Sequence, residues 1–297
     1  MERVFLFTVG LLASVQAIAP PPLINITYVQ PSVSYIGQRM SFRHIYVTHD
    51  GNSHTYRPSQ PSITITATST VKAEAMRKAA HIVAHMIKYS PNEVFMGLTR
   101  SLGVGLFSPA EGPTIFPENS NLADYPECYN RCSGKCSVTC TFDGRKWQSI
   151  AGLTNTRACV LAENVMCSPG DPYGHSESIL NHEFGHLVHR YVPQMWKNKI
   201  GAAYRNAYNR QLWKLGTYAM ANAHEYFAEA TEAFFLDSKR TDVTGGMNMC
   251  GTNRVCPNER SSREYLKRHD PALYETLVYA YTNGRPNMAM GLKICVD

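Results

Sequence analysis

A chain of 297 residues, 44% hydrophobic and 18% charged, can bury the core of one large domain or of two small ones. Its 29 Lys and Arg against 23 Asp and Glu give a net charge of +6, spread without any run of like sign, which argues against a nucleic-acid binder. No stretch beyond the N-terminus is apolar for long enough to cross a bilayer, so no membrane span is expected.

Residues 1–17 read as a secretory signal peptide. Arg3 supplies the positive charge, residues 4–15 the apolar core, and Val15-Gln16-Ala17 the small residues of a cleavage site. The mature protein is therefore expected to be secreted and extracellular, where most of the nine cysteines would pair. Nine is odd, so one cysteine is expected to be free, intermolecular or a metal ligand, and the oligomeric state stays open. Asn25-Ile26-Thr27 is a glycosylation sequon, with Asn25 as the attachment site.

Residues 18–62 are rich in Pro, Ser and Tyr and show no helical period. They read as an N-terminal extension, a propeptide candidate, with strand-like pieces at 24–29 and 41–47. His44, His49 and His54 recur in it and are taken as surface residues rather than as a block on a metal site.

The main domain is expected over 63–297. Residues 63–68 alternate and are β-branched, which predicts a strand. Over 71–89, Ala75, Ala79, Ile82, Val83 and Met86 recur at helical steps until Ser90-Pro91, and His81 and His85 on this helix read as structural or surface residues. A short helix at 94–98 and a strand at 102–107 follow. Cys128, Cys132, Cys136 and Cys140 then fall at an even spacing of four within an insert at 126–141. Pro126, Gly134, Val138 and Thr139 disfavour a continuous helix there, and the spacing fits no zinc-finger pattern. A disulfide-stapled surface loop is expected. Residues 157–166 read as a strand, with Cys159 and Cys167 placed to close a local loop, and Cys250 and Cys256 bracket another.

Residues 176–191 carry the motif around which the chain is organised, His182-Glu183-Phe184-Gly185-His186. On a helix, residues four apart differ by about 40° in direction and about 6 Å along the axis. The two imidazoles can therefore reach one zinc ion, while Glu183 beside them can act as general base on a water. A third protein ligand is needed. The metzincin pattern fails, because its Gly and final His positions hold His189 and Val192. His189 lies about 10.5 Å along the helix from His182 and reads as a surface or supporting residue. The better candidate is the helical stretch 222–235, N-A-H-E-Y-F-A-E-A-T-E-A-F-F. Glu225 would complete a His-His-Glu set, and Glu229, one turn on, would grip a ligand imidazole from behind. The alternative for Glu225, Glu229 and Glu232 is a solvated helix face.

H-E-F-G-H at 182–186 followed by E-Y-F-A-E at 225–229 resembles the catalytic domain of the anthrax lethal factor family of secreted zincins, a gluzincin-type arrangement. The resemblance implies an α+β, zincin-like metallopeptidase fold: a small mixed sheet, an active-site helix and a second Glu-bearing helix, here disulfide-stapled. It implies one catalytic Zn2+ on His182, His186 and Glu225, with Glu183 as base and Glu229 as a supporting carboxylate. It also implies that Tyr218, seven residues before Glu225, stabilises the oxyanion. An edge strand that receives the substrate would precede the active helix, with 157–166 as the candidate. The expected activity is a zinc-dependent endopeptidase acting on protein or peptide substrates. The alternatives are a catalytically silent zincin-fold binding or matrix protein and a zinc hydrolase of non-peptide amides.

Overall fold

The computed structural model describes residues 41–129, 131–141, 144–251 and 254–295. The expected signal peptide at 1–17 and Asn25 lie outside the described residues. Six strands form one mixed sheet: β1 (Phe42–Thr48), β2 (Ser53–His54), β3 (Ser62–Thr68), β4 (Val104–Phe107), β5 (Gly152–Thr154) and β6 (Ala158–Leu161), in the order β2-β1-β3-β4-β6-β5. β3, β4 and β6 run parallel in the middle, and β1 and β5 flank them antiparallel. The parallel strands are nearly all buried, as expected of strands covered on both faces.

β1 and β2 lie within the expected extension at 18–62, and β1 is part of the sheet. It pairs with β3 over its whole length, from Phe42↔Thr68 to Thr48↔Ser62. The strand character of 41–47 was legible, but its partner was not, because that partner begins where the extension was taken to end. His44 on β1 and His54 on β2 sit at the opposite side of the sheet from β5.

Eight helices complete the described chain: α1 (Ala73–Ile87), α2 (Asn92–Leu98), α3 (Ala162–Val165), α4 (Ile179–Tyr191), α5 (Gln194–Arg210), α6 (Ala223–Phe235), α7 (Glu259–His269) and α8 (Pro271–Thr282). The strand expected over 157–166 is thus a four-residue strand followed by a helical turn. α4 lies between the sheet, at β5 and β6, and α6. Phe184, Leu187 and Val188 of α4 and Phe227 and Phe234 of α6 are fully or almost fully buried in the core. Gly185 makes the close approach feasible: a Cβ there would sit 3.2 Å from Ala228 Cα and 3.1 Å from Thr231 Oγ1. Among the described residues no helix is long and apolar enough to cross a membrane.

Four disulfides form. Cys128–Cys136 and Cys132–Cys140 staple the insert as expected, and Cys250–Cys256 closes its short loop. The Cys159–Cys167 loop is not made. Cys167 pairs with Cys295 instead and ties the C-terminal segment to the end of α3, while Cys159 stays free and buried on β6. Burial pushes the Cys159 thiol far up, so it is an inert core residue. Lys146 anchors the base of the insert, donating to Asp124 Oδ1 (2.8 Å), Thr139 Oγ1 (2.8 Å) and the carbonyls of Cys128 and Arg131 (2.7 Å each).

Candidate active site

Both helices of the site start at a side-chain cap. Ser178 caps α4 by accepting from the Asn181 amide, and Asn222 caps α6 by accepting from the amides of His224 (2.8 Å) and Glu225 (3.0 Å). The second cap fixes Glu225 in the first turn of α6, where the positive end of the helix favours a carboxylate. His182 Nε2 and His186 Nε2 converge from successive turns of α4 on one atom, Glu225 Oε2, at 3.1 and 3.2 Å. Burial would raise the Glu225 pKa, but the His186 charge and the hydrogen bonds to both imidazoles outweigh it and hold the carboxyl far below the usual range. Burial likewise opposes charge on His182, yet the carboxylates of Glu225, Glu232 and Glu229 outweigh it and raise that imidazole. The surroundings therefore favour a positive charge at this point.

These three side chains suit a zinc ion. Two imidazoles and one carboxylate are a common donor set for this metal, and their ligand atoms all lie within 4.8 Å of one another. Tetrahedral bonds of about 2.0 Å put neighbouring donors about 3.3 Å apart, close to the 3.1 and 3.2 Å found. The side away from the helices opens on a cleft of about 470 Å³.

Behind the trio, His182 Nδ1 faces Glu229 Oε1 at 3.5 Å and Glu232 Oε2 at 3.9 Å. Glu229 and Glu232 are fully buried, which removes the solvated-face alternative for them. Burial pushes both carboxyls upward. Glu232 had been given no role, although its position seven residues after Glu225 on the same helix face was the available signal.

Glu183 is buried beside the cleft. Burial raises its pKa against the pull of His186, His182 and a hydrogen bond from Thr154. Tyr218 sits in a 3-10 turn just before α6, with its ring stacked 5.9 Å from that of His182 and also lining the cleft. Burial, with the charge of Glu225, pushes its hydroxyl far up, so it stays protonated. His189 is buried, not at the surface. It packs on His224 at 4.6 Å and on Phe227, and burial first, then His224, brings its pKa down to about 3.

The edge strand differs from expectation. β6, within 157–166, is interior, and the edge beside α4 is β5, which pairs with β6 from Gly152↔Val160 to Thr154↔Ala158. Three residues are too few for an alternating pattern, but the polar Asn155-Thr156 between the two strands was a readable turn signal. The insert contributes Thr141 and the residues just beyond it contribute Trp147 and Ser149 to the cleft wall.

No protein-family model matches the chain, and no curated protein matches it in sequence. Among solved structures the fold is similar to that of the PRO-PRO endopeptidase PPEP-2 from Paenibacillus alvei. The identity is 19%, the TM-score is 0.44, and the match covers 72% of this chain and 95% of that one.

Proposed function

We propose that this protein is a secreted zinc-dependent endopeptidase of zincin type. The observation that carries the reading is the convergence of His182, His186 and Glu225 on one point beside Glu183, at the floor of a cleft bordered by a sheet edge. The four disulfides suit an oxidising compartment.

His182, His186 and Glu225 would hold the metal, and zinc when bound polarises a carbonyl and acidifies water. The chain's own groups divide the remaining work. Glu183, lifted by burial, takes the proton of the attacking water and later delivers it to the leaving amine. Tyr218, protonated at all working pH, donates to the oxygen on which negative charge grows, a contribution of about 3 kcal/mol for one such donor. Glu229, whose Oε1 stands 3.5 Å from His182 Nδ1, backs the ring on the side away from the metal position and helps hold Nε2 towards it. β5 ends the sheet among the described residues, and an extended peptide can add to such an edge, which favours peptide substrates over small amides.

The test is zinc stoichiometry together with cleavage of a denatured protein mixture, on the wild type and on Glu183→Gln. One zinc per chain in both proteins, with cleavage by the wild type alone, is expected. Zinc in both with cleavage in neither would instead favour a latent zymogen or a silent zincin-fold binding protein. A fully active Glu183→Gln protein would overturn the mechanism.

A further inference from the structure

We propose that strand β5, besides bordering the cleft, aims the general base: Thr154 fixes one oxygen of Glu183, and Gly152 leaves the other as the oxygen that takes the proton. This rests on the reading of Glu183 as the base.

Two contacts carry the assignment. Thr154 Oγ1 lies 2.6 Å from Glu183 Oε2 and 2.9 Å from the Glu183 carbonyl oxygen. A hydroxyl has one proton, and a carboxylate is the stronger acceptor, so the 2.6 Å contact takes it. The second contact is with Gly152. A Cβ at that position would fall 2.3 Å from Glu183 Oε1 and 2.9 Å from Glu183 Cδ. A Cβ there would also fall 2.6 Å from Ile179 Cγ2, so the carboxylate lies close against β5 in space that it shares with Ile179 and that any other residue would fill.

The register of β5 produces both contacts at once. Side chains alternate along a strand, so positions 152 and 154 share a face while Leu153 points the other way, into the core. That face meets α4 at Glu183. β5 is itself held in place by its pairing with β6. Glu183 has three rotatable side-chain bonds, and without an anchor its carboxylate would spread over several rotamers. With Oε2 held by Thr154, Oε1 is left to meet water. Thr154 is thus a positioning residue that acts through Glu183, and Gly152 is the clearance that lets it do so.

The experiment compares wild type, Thr154→Val, Thr154→Ala, Thr154→Ser, Gly152→Ala and Glu183→Gln, each checked for zinc content and thermal midpoint. Kinetics use one fluorogenic peptide built on a cleavage site found in the denatured mixture. Thr154→Val and Thr154→Ala are expected to lose about 10-fold or more in kcat, out of the roughly 10²–10⁴ that a positioned base supplies. KM should stay within about twofold, and one zinc should remain. Thr154→Ser, which keeps the hydroxyl, should return kcat to near wild type. Gly152→Ala, whose Cβ would meet both Glu183 Oε1 and Ile179 Cγ2, should also lose kcat, and its thermal midpoint reports the Ile179 share of the clash. Wild-type kcat in Thr154→Val and Thr154→Ala, or a loss that Ser does not rescue, overturns the proposal while leaving the peptidase reading intact. An active Glu183→Gln overturns that reading first. A crystal structure of Thr154→Val supplies a readout independent of turnover: the Glu183 carboxylate should leave its place against Gly152, and an unmoved carboxylate would end the proposal.

Discussion

The Nδ1 of His182 stands 3.5 Å from Oε1 of Glu229, while the Nε2 of the same ring lies 3.1 Å from Glu225. One imidazole thus stands between two carboxylates of one helix, a turn apart, hydrogen-bonded to the nearer one. The nearer carboxylate sits where a metal ligand would, and the farther one faces the other ring nitrogen. Replacing Glu229 by Ala should weaken zinc binding by about 10- to 100-fold, the usual cost of losing such a partner. Competition against a chelator of known affinity measures it, and unchanged affinity would show that Glu229 plays no part in orienting His182.

Glu225→Ala should lose zinc outright, because two imidazoles on one helix cannot alone make a closed three-ligand set. Metal analysis after dialysis reads this directly. Retention of one zinc per chain would place the third ligand elsewhere. Glu225→Gln is informative beside it: the cap from Asn222 to the backbone of α6 is untouched by either change, so a loss of metal reports the side chain and not the helix.

Much of the site was legible because helical spacing is rigid. H-E-x-x-H fixes two imidazoles and a carboxylate on one helix by arithmetic alone, whereas Glu225 and Glu229 came from the resemblance of 225–229 to a known motif and Glu232 was passed over. What was not legible depends on pairing across the chain. β1 needed β3 as partner, Cys167 needed Cys295 from 128 residues away, and the edge strand was hidden in a three-residue segment. Neither local composition nor periodicity reports which distant segment a strand or a cysteine meets. The contact of Thr154 with Glu183 belongs to the same group, since it arises only when β5 folds back along β6 onto α4.

Gly185 sits inside the motif and inside the α4–α6 contact. Its absent side chain leaves room for the backbone of Ala228, so a large residue there must push the two helices apart. Gly185→Leu should destabilise by about 1–3 kcal/mol through overpacking, and separating α6 from α4 should also weaken zinc binding. A lowered thermal midpoint with lowered metal affinity is the expected pair of results. A normal midpoint would mean that the helices are less closely fitted than the 3.2 Å clearance implies.

Asp270 supports α6 from below the site. It is fully buried, accepts from Trp213 Nε1 at 2.9 Å and from the Tyr226 hydroxyl at 2.5 Å, and caps α8 through the Leu273 amide at 3.2 Å. Tyr226 follows Glu225 directly, so this network sets the roll of α6 and with it the aim of the ligand carboxylate. Asp270→Ala would leave an indole N–H and a phenol hydroxyl buried without an acceptor, and would remove a helix cap. Hydrogen bonds to a charged acceptor contribute about 1.5–3 kcal/mol each, so a total loss of about 3–5 kcal/mol is expected, with zinc affinity reduced as α6 shifts. Asp270→Asn has a single acceptor oxygen, enough for the Leu273 cap made by Oδ1 or for the Trp213 and Tyr226 contacts made by Oδ2 but not for both, and should lose less than Asp270→Ala. Thermal unfolding with and without added zinc separates the two effects. Equal losses for Ala and Asn would show that both carboxylate oxygens are needed at once.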